Sequence, residues 1–350
     1  MVIQYKCPDC GADMVFDSKT GRLYCDSCGR SEVIDDYKAG EFKPFEEHFH
    51  TSAFDGDEVN QYQCNNCGAI LLTDKDTTAT ECSFCGAPII LGDRLSGVLA
   101  PSKVIPFAIS KKEAETAFKK WCRHGFFMPK GFKQADRIKN LTGMYVPFWL
   151  YDVQGHGEVF AHCTRIHRHD EGDFIVTKTH HYDVYRKIDA KYNNIPADAS
   201  EKMPDNLMDK LEPFDYSGMK NFNTPYLAGF ISEKYNYTDK EMFSRIQERV
   251  TGYMEEYIAS SITGYSSVHT VNHECHIMQR SAEYVLFPVW IVYYDYDHSE
   301  YTFAMNGQTG KIAGMPPLNK AKAISSMAAV TLLLFIICRI ITVLMGGPVL

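Results

Sequence analysis

At 350 residues, with 45% apolar and 23% charged residues, the chain is long enough for two or three domains with real hydrophobic cores, which excludes wholesale disorder. Twelve cysteines would suggest a disulfide scaffold in a short secreted protein, but eight of them form four C-x-x-C pairs within the first 85 residues, which is a metal-binding pattern. The net charge of −8 is uneven: residues 1–100 hold 8 Lys or Arg against 17 Asp or Glu, and residues 101–350 hold 28 against 27.

The N-terminus, MVIQYKCPDC, shows no basic-then-apolar signal segment, which places the cysteines in a reducing cytosol. YKCPDCGADMVFDSKTGRLYCDSCG (residues 5–29) and YQCNNCGAILLTDKDTTATECSFCG (residues 62–86) then repeat one framework, with fourteen residues between knuckles and an offset of 57. Zinc favours four thiolates in a tetrahedron, and each knuckle offers two sulfurs from one tight turn. Gly11, Gly29, Gly68 and Gly86 directly follow the second cysteine of each pair and permit that turn. The spacing therefore assigns one Zn2+ to Cys7, Cys10, Cys25 and Cys28 and a second to Cys64, Cys67, Cys82 and Cys85. Complete four-thiolate sets leave no open position for water, so both metals read as structural.

These units are expected to be self-contained ribbons over 1–35 and 62–100, joined by an acidic, aromatic linker over 36–61. Ribbons of this kind dock proteins or read nucleic acid; a nucleic-acid reader should be basic, and this module is acidic, which favours protein contact. A nucleic-acid-associated factor is the alternative.

Residues 101–318 read as an α+β body of mixed antiparallel strands and helices. VIPF is a short strand, and Ser110 with Glu113 forms a capping box for a helix to about Arg123. Residues 143–192 are β in pattern, with three or four antiparallel strands separated by turns at Gly155, Gly157 and Gly172. The passage from Asn193 to Tyr237 reads as loop with a short helix near Asp205 to Leu211. Thr238 and Glu241 cap a long helix whose stripe is Met242, Phe243, Ile246, Val250, Tyr253, Met254, Tyr257 and Ile258. Strands resume from Val268 to Ala313, with NGQTG at 306–310 as a hairpin turn. MYVPFW at Met144 and YVLFPVW at Tyr284 both place a Pro shortly before a Trp, so 143–192 and 268–313 read either as copies of one β unit or as independent segments.

From Ala323 to Met345 the chain runs 23 residues with one charge, Arg339, and suits a membrane-spanning helix. Lys311, Lys320 and Lys322 precede it and place the bulk of the chain in the cytosol, on a cell membrane crossed once near the C-terminus. Arg339 can snorkel near the helix end, and a re-entrant turn at Arg339 is the alternative.

Histidines gather at His156, His162, His167, His169, His180 and His181, and at His269, His273 and His276. A further metal site there requires three or four of them to converge; exposed or hydrogen-bonded strand positions are the favoured reading. Cys122, Cys163, Cys275 and Cys338 read as buried or membrane-embedded thiols. NGQTGK (306–311) is not a phosphate-binding loop, since Ile312 follows the lysine. No catalytic motif supports an enzyme.

The strings KVIPFAISKKEAETAFKKW, YVPFWLYD, NIPADAS, EPFDYSGMKNFNTPYLAGFISEKY and FPVWIVYYDYDHSEYTFAMNGQTGKIAGMPP, together with the ribbons, resemble a bacterial family of membrane-anchored tandem zinc-ribbon proteins. That family is commonly labelled as transcription-factor-IIB-type zinc ribbon proteins and likened to the primosomal replication-restart helicase, a likeness this chain shares only in its C-x-x-C ribbons. The resemblance implies a membrane-bound scaffold in envelope stress or membrane organisation, beside flotillin-like (SPFH) or phage-shock-protein-A-like partners.

Overall fold

The computed structural model describes residues 2–34, 59–95, 100–125, 127–129, 131–132, 140–172, 174–296 and 299–344. Strands β1 (Val2–Ile3), β2 (Val15–Asp17), β3 (Arg22–Tyr24) and β4 (Ser31–Glu32) belong to the first ribbon. Strands β5 (Val59–Gln63), β6 (Ile70–Asp74), β7 (Thr77–Glu81) and β8 (Pro88–Leu91) belong to the second. The body comprises β9 (Lys103–Val104), α1 (Lys111–His124), β10 (Asn140–Glu171), β11 (Phe174–Asp198), α2 (Asp205–Asp209), β12 (Lys220–Asn221), β13 (Ile231–Glu233), α3 (Asp239–Ser261), β14 (Ser267–Tyr296), β15 (Ser299–Asn306) and β16 (Ile312–Gly314). A last helix, α4 (Lys320–Leu344), follows, and the whole is α+β. The expected linker over 36–61 lies outside the described residues, apart from 59–61 in β5.

Two strands of unusual length dominate. β10 runs 32 residues and β14 runs 30, paired antiparallel from Asn140↔Tyr293 to Thr164↔Ser267. At its extended rise β10 alone spans about 100 Å. The expected three or four strands over 143–192 are thus only β10 and β11, one hairpin turning at Gly172, whose φ is +65°. Gly155 and Gly157 are not turns. A Cβ at Gly155 would sit 2.2 Å from Met254 Sδ, and one at Gly157 2.9 Å from Met254 Cε, so both glycines let α3 lie close against β10. A glycine in a strand marks such a close approach as readily as a bend.

Capping boxes form at both expected helix starts, Ser110 with Glu113 and Thr238 with Glu241. The buried stripe of α3 is Met242, Ile246, Val250, Met254 and Ile258, one residue per helical turn. Tyr253 and Tyr257 stand exposed at its margin, so the stripe is narrower than the sequence pattern.

The MYVPFW and YVLFPVW segments lie side by side, with Val146 opposite Phe287. Around this pair the surroundings repeat. β13 adds parallel to β10 at Met144↔Ile231, and β9 adds parallel to β14 at Val285↔Lys103. The Trp149 indole donates to the Tyr237 carbonyl at 2.8 Å and the Trp290 indole to the Ile109 carbonyl at 3.0 Å, each carbonyl lying one residue before a helix cap. The Ala199 amide donates to Pro147 O, and the Gly307 amide to Pro288 O. A local two-fold axis through Val146 and Phe287 therefore relates two strand–helix–hairpin halves, each lending its first strand to the other's sheet edge. The two prolines sit in central strands, and their carbonyls are satisfied by these amides.

The same axis equates Asp198, opposite Phe148, with Asn306, opposite Val289. Asn306 is fully buried and saturated: its Nδ2 donates to Leu211 O and Pro213 O, and its Oδ1 accepts from the Gln308 and Thr309 amides. Asp198 is equally buried, accepts only from the Ser200 amide, and leaves Oδ2 without a partner. Burial pushes its carboxyl up to about 8, against the Ser200 bond and with Asp205 nearby.

The ribbons are not self-contained. β7 and β8 continue the main sheet through Ser232↔Ala79, and β1 adds to β8 through Val2↔Leu91 and Ile3↔Ile90. Phe16 of the first ribbon packs against Tyr226 and Phe230, and its amide donates to Ala228 O. Tyr5, Met14, Phe16 and Leu23 of the first ribbon join the core of the body, whereas the second ribbon keeps a small cluster of its own around Leu71 and Ile89 and docks through Ala79 and Ile90. β13, which links the ribbons to β10, is only three residues long and escaped the sequence pattern for that reason.

α4 continues without a break through Arg339, so the chain makes no turn there among the described residues. Within its span Lys320–Ile341 the most apolar 18 residues have a mean hydropathy of 2.3 and none is buried, which makes the helix long and apolar enough to cross a membrane. Its 25 residues extend about 37 Å, against about 30 Å of hydrocarbon.

Asp198 generates a pH prediction. Its folded value near 8 lies above the unfolded value near 4, so the folded state keeps a proton that the unfolded chain has lost, and stability falls as pH rises across that window. Denaturation of wild type and Asp198→Asn at pH 6 and pH 8 should show the variant gaining on wild type, by up to about 1.4 kcal/mol per pH unit. A second variant tests the axis: Trp290→Phe orphans the Ile109 carbonyl and should cost about 1–3 kcal/mol in the same measurement.

Candidate metal centres

Each knuckle is built the same way. In the first, the Gly11 amide donates to Cys7 O and the Cys7 amide to Ala12 O; Gly29 with Cys25, Gly68 with Cys64 and Gly86 with Cys82 repeat the turn. The four glycines have φ between +73° and +79°, the left-handed region. One cysteine of each knuckle is buried (Cys7, Cys25, Cys64, Cys82) and the other exposed (Cys10, Cys28, Cys67, Cys85).

The sulfurs converge as the spacing requires. Cys7 and Cys28 lie 3.5 Å apart, as do Cys10 and Cys25; Cys64 and Cys85 lie 3.7 Å apart, as do Cys67 and Cys82. All four ligand atoms of each set fall within 4.8 Å of one another. A tetrahedral cation with metal–sulfur bonds near 2.3 Å places its sulfurs about 3.8 Å apart, so both sets fit one ion each.

The electrostatics agree. Without a cation, four crowded thiols cannot ionise together. The Cys28 amide favours the Cys25 thiolate, which drops to about 7, while Cys28, despite the Arg30 amide, is pushed up to about 12 by its sulfur neighbours. Amides of Ala87 and the Asn66 side chain lower Cys85 to about 6; Cys67, despite the Ala69 amide, rises to about 12. A dication removes the conflict by favouring every thiolate at once.

Sequence reading overlooked the groups that support these sulfurs. Asn66, inside the third knuckle, points its Nδ2 at Cys85 Sγ (3.5 Å), and Gln4 Nε2 lies 3.9 Å from Cys64 Sγ. Lys6 bonds both Asp13 of its own ribbon and Asn66 of the other. The residues just before Cys7 thus reach the second site, a contact that no spacing rule announces. On the body side, Lys202 bonds Asp74 at the end of β6 and the buried Glu233 of β13, while Arg94 bridges the Asp74 and Thr77 carbonyls.

The histidines do not converge. Among the described residues, only the two cysteine sets bring three or more potential ligands together. His156 bonds Asp189 and Glu158, which raise its pKa, and His162 bonds Asp183. Cys122 and Cys163 are buried and Cys275 half-buried in the body, while Cys338 is exposed on α4.

The chain is 50% identical to YdjG of Bacillus subtilis (strain 168), an uncharacterized protein, over 347 residues that make up 99% of each. This chain belongs to the YdjG family. No family model matches it, and no solved structure matches it.

Replacing Cys64 or Cys82 with Ser should leave one metal ion per chain by elemental analysis. Asn66→Ala should keep both ions but weaken the second site about tenfold in chelator competition, since only a supporting bond is lost.

Proposed function

We propose that this protein is a membrane-anchored zinc adaptor that docks a protein partner at the cytosolic membrane face. Zinc is the metal that suits closed, four-thiolate tetrahedral sites in a reducing compartment. Closed sites have no position for substrate water, which argues for a structural role. The observation that carries the docking reading is on the second ribbon: Ile70 (63% exposed), Leu72 (60%) and Phe84 (74%) present apolar side chains to solvent beside the knuckles. Ile70 and Leu72 share the outer face of β6, where alternate residues are buried. Apolar side chains held out by a metal-stiffened hairpin suit a protein contact, and the acidic balance of residues 1–100 disfavours a phosphate backbone.

The apolar helix α4 supplies the anchor, and Lys311, Lys320 and Lys322 before it favour a cytosolic body. The resemblance to tandem zinc-ribbon proteins found beside flotillin-like and phage-shock-protein-A-like proteins names the partner class to try first.

The test compares capture from detergent extracts by wild type and by Ile70→Asp with Phe84→Ser. The expected result is two zinc equivalents in both proteins and loss of the captured partner in the variant. Unchanged capture would remove the docking role. Tight, salt-sensitive binding of DNA or RNA would favour the nucleic-acid alternative, and more than two tightly held metal ions would return attention to the histidines.

A further inference from the structure

We infer that the β10–β11 arm is a self-association surface: β11 pairs edge to edge, antiparallel, with β11 of a second copy, about a two-fold axis at Tyr185. The arm is the part of β10 and β11 that runs beyond the body, with β14 as the third strand as far as Ser267. α3 packs on one face of it, burying Val159, Ala161, Cys163 and Val184 with Ile258 and Ile262. β14 flanks β10 on the other side, so the outer edge of β11 is the free one; among the described residues β11 pairs with β10 alone.

That edge lacks the usual protection. Its register with β10 is unbroken from Glu171↔Phe174 to Val153↔Tyr192, with no bulge and no proline in the stretch; the irregularity and Pro196 come only afterwards. A long, straight strand edge presents a row of backbone donors and acceptors ready for another strand. Lysines commonly blunt such an edge, but here Lys187 is ion-paired to Glu158 of β10, and Asp183 and Asp189, which bond His162 and His156, share the exposed face with Lys187 and Lys191.

The charge order selects a second copy as the occupant. With the axis at Tyr185, Asp183 faces Lys187 of the other copy, His181 faces Asp189, and Tyr185 faces itself; each pair occurs twice by symmetry. On the α3 side Val184 faces Arg186 and Tyr182 faces Ile188. No like charges meet from Lys178 to Tyr192. Neighbouring registers are worse. An axis at Arg186 or Lys187 sets that cation against itself, and an axis at Arg186 also opposes Asp183 to Asp189. An axis at Val184 makes no opposite-charge pair, and one at Ile188 makes only Lys187 with Asp189. Opposite charges directly across a strand pair stabilise it and like charges destabilise it, so a self-complementary order recognises its own copy.

The inference does not depend on the adaptor reading, because the arm is remote in sequence from both cysteine sets and from α4. The test uses the full chain in detergent micelles, with its mass measured by sedimentation across a concentration range. Wild type should dimerise. Asp183→Lys or Lys187→Asp should each weaken the dimer about tenfold, since two attractive pairs become repulsive. The double exchange, Asp183→Lys with Lys187→Asp, should restore it. Both positions changed, Asp183 and Lys187, are exposed, so folding and two-metal content serve as controls. A wild-type chain that stays monomeric, a dimer indifferent to the single exchanges, or a double exchange that fails to restore association would each overturn the inference. Partner capture by the ribbons should be unchanged in the single variants, which keeps a failure here separate from a failure there.

Discussion

The antiparallel pairing of β10 with β14 is the constraint on which the rest of the structure depends. Around Val146 and Phe287 it joins two strand–helix–hairpin halves, and each half needs the other, because β9 and β13 are too short to hold a place except alongside the opposite long strand. The indoles of Trp149 and Trp290 reach across to the residue before each helix cap, so the helices are oriented by the opposite half's strand. Side chains at the axis (Val146, Phe148, Val285, Phe287) are almost wholly buried, and the apolar surface they withdraw from water is what drives the halves together.

The metal centres are attached to this frame through β13. It receives β7 of the second ribbon on one side and β10 on the other, and Lys202 and Glu233 reinforce the junction. Burial raises the Glu233 pKa while Lys202 opposes that shift, so the ion pair is held at the junction partly desolvated. Metal binding and folding of the body are therefore linked: the ions order the knuckles, and the knuckles carry strands of the main sheet. The first ribbon joins the same core through Phe16 and hands Gln4 and Lys6 to the second site. The two cysteine sets thus belong to one connected structure.

This frame leaves three features exposed and apart from one another. The stiffened second ribbon holds Ile70, Leu72 and Phe84 outward, the long arm offers the edge of β11, and α4 departs from the body without packing on it. The adaptor role proposed above would use this separation, since the apolar helix, the exposed ribbon residues and the β11 edge share no residues.

Much of this was legible in the sequence where the signal is local. Four C-x-x-C-G turns, two capping boxes and the apolar run of α4 each depend on residues within one or two turns of each other, and the chain order alone settles them; the centre of the α3 stripe was legible in the same way, its width was not. The eight cysteines were legible for the same reason, since ligand spacing is a local property. Tertiary structure decided what local signals cannot carry. Gly155 and Gly157 read as turns because a glycine in a strand looks the same whether the chain bends there or a helix presses on it; only the position of Met254 distinguishes the two. The independence of the ribbons failed because β7 and β1 find partners far away in the chain, and Asn66 and Gln4 support sulfurs they are not spaced to reach. The two four-cysteine sets were thus determined by sequence, through short-range geometry, and their union with the body by tertiary structure, through long-range strand pairing that no spacing rule encodes.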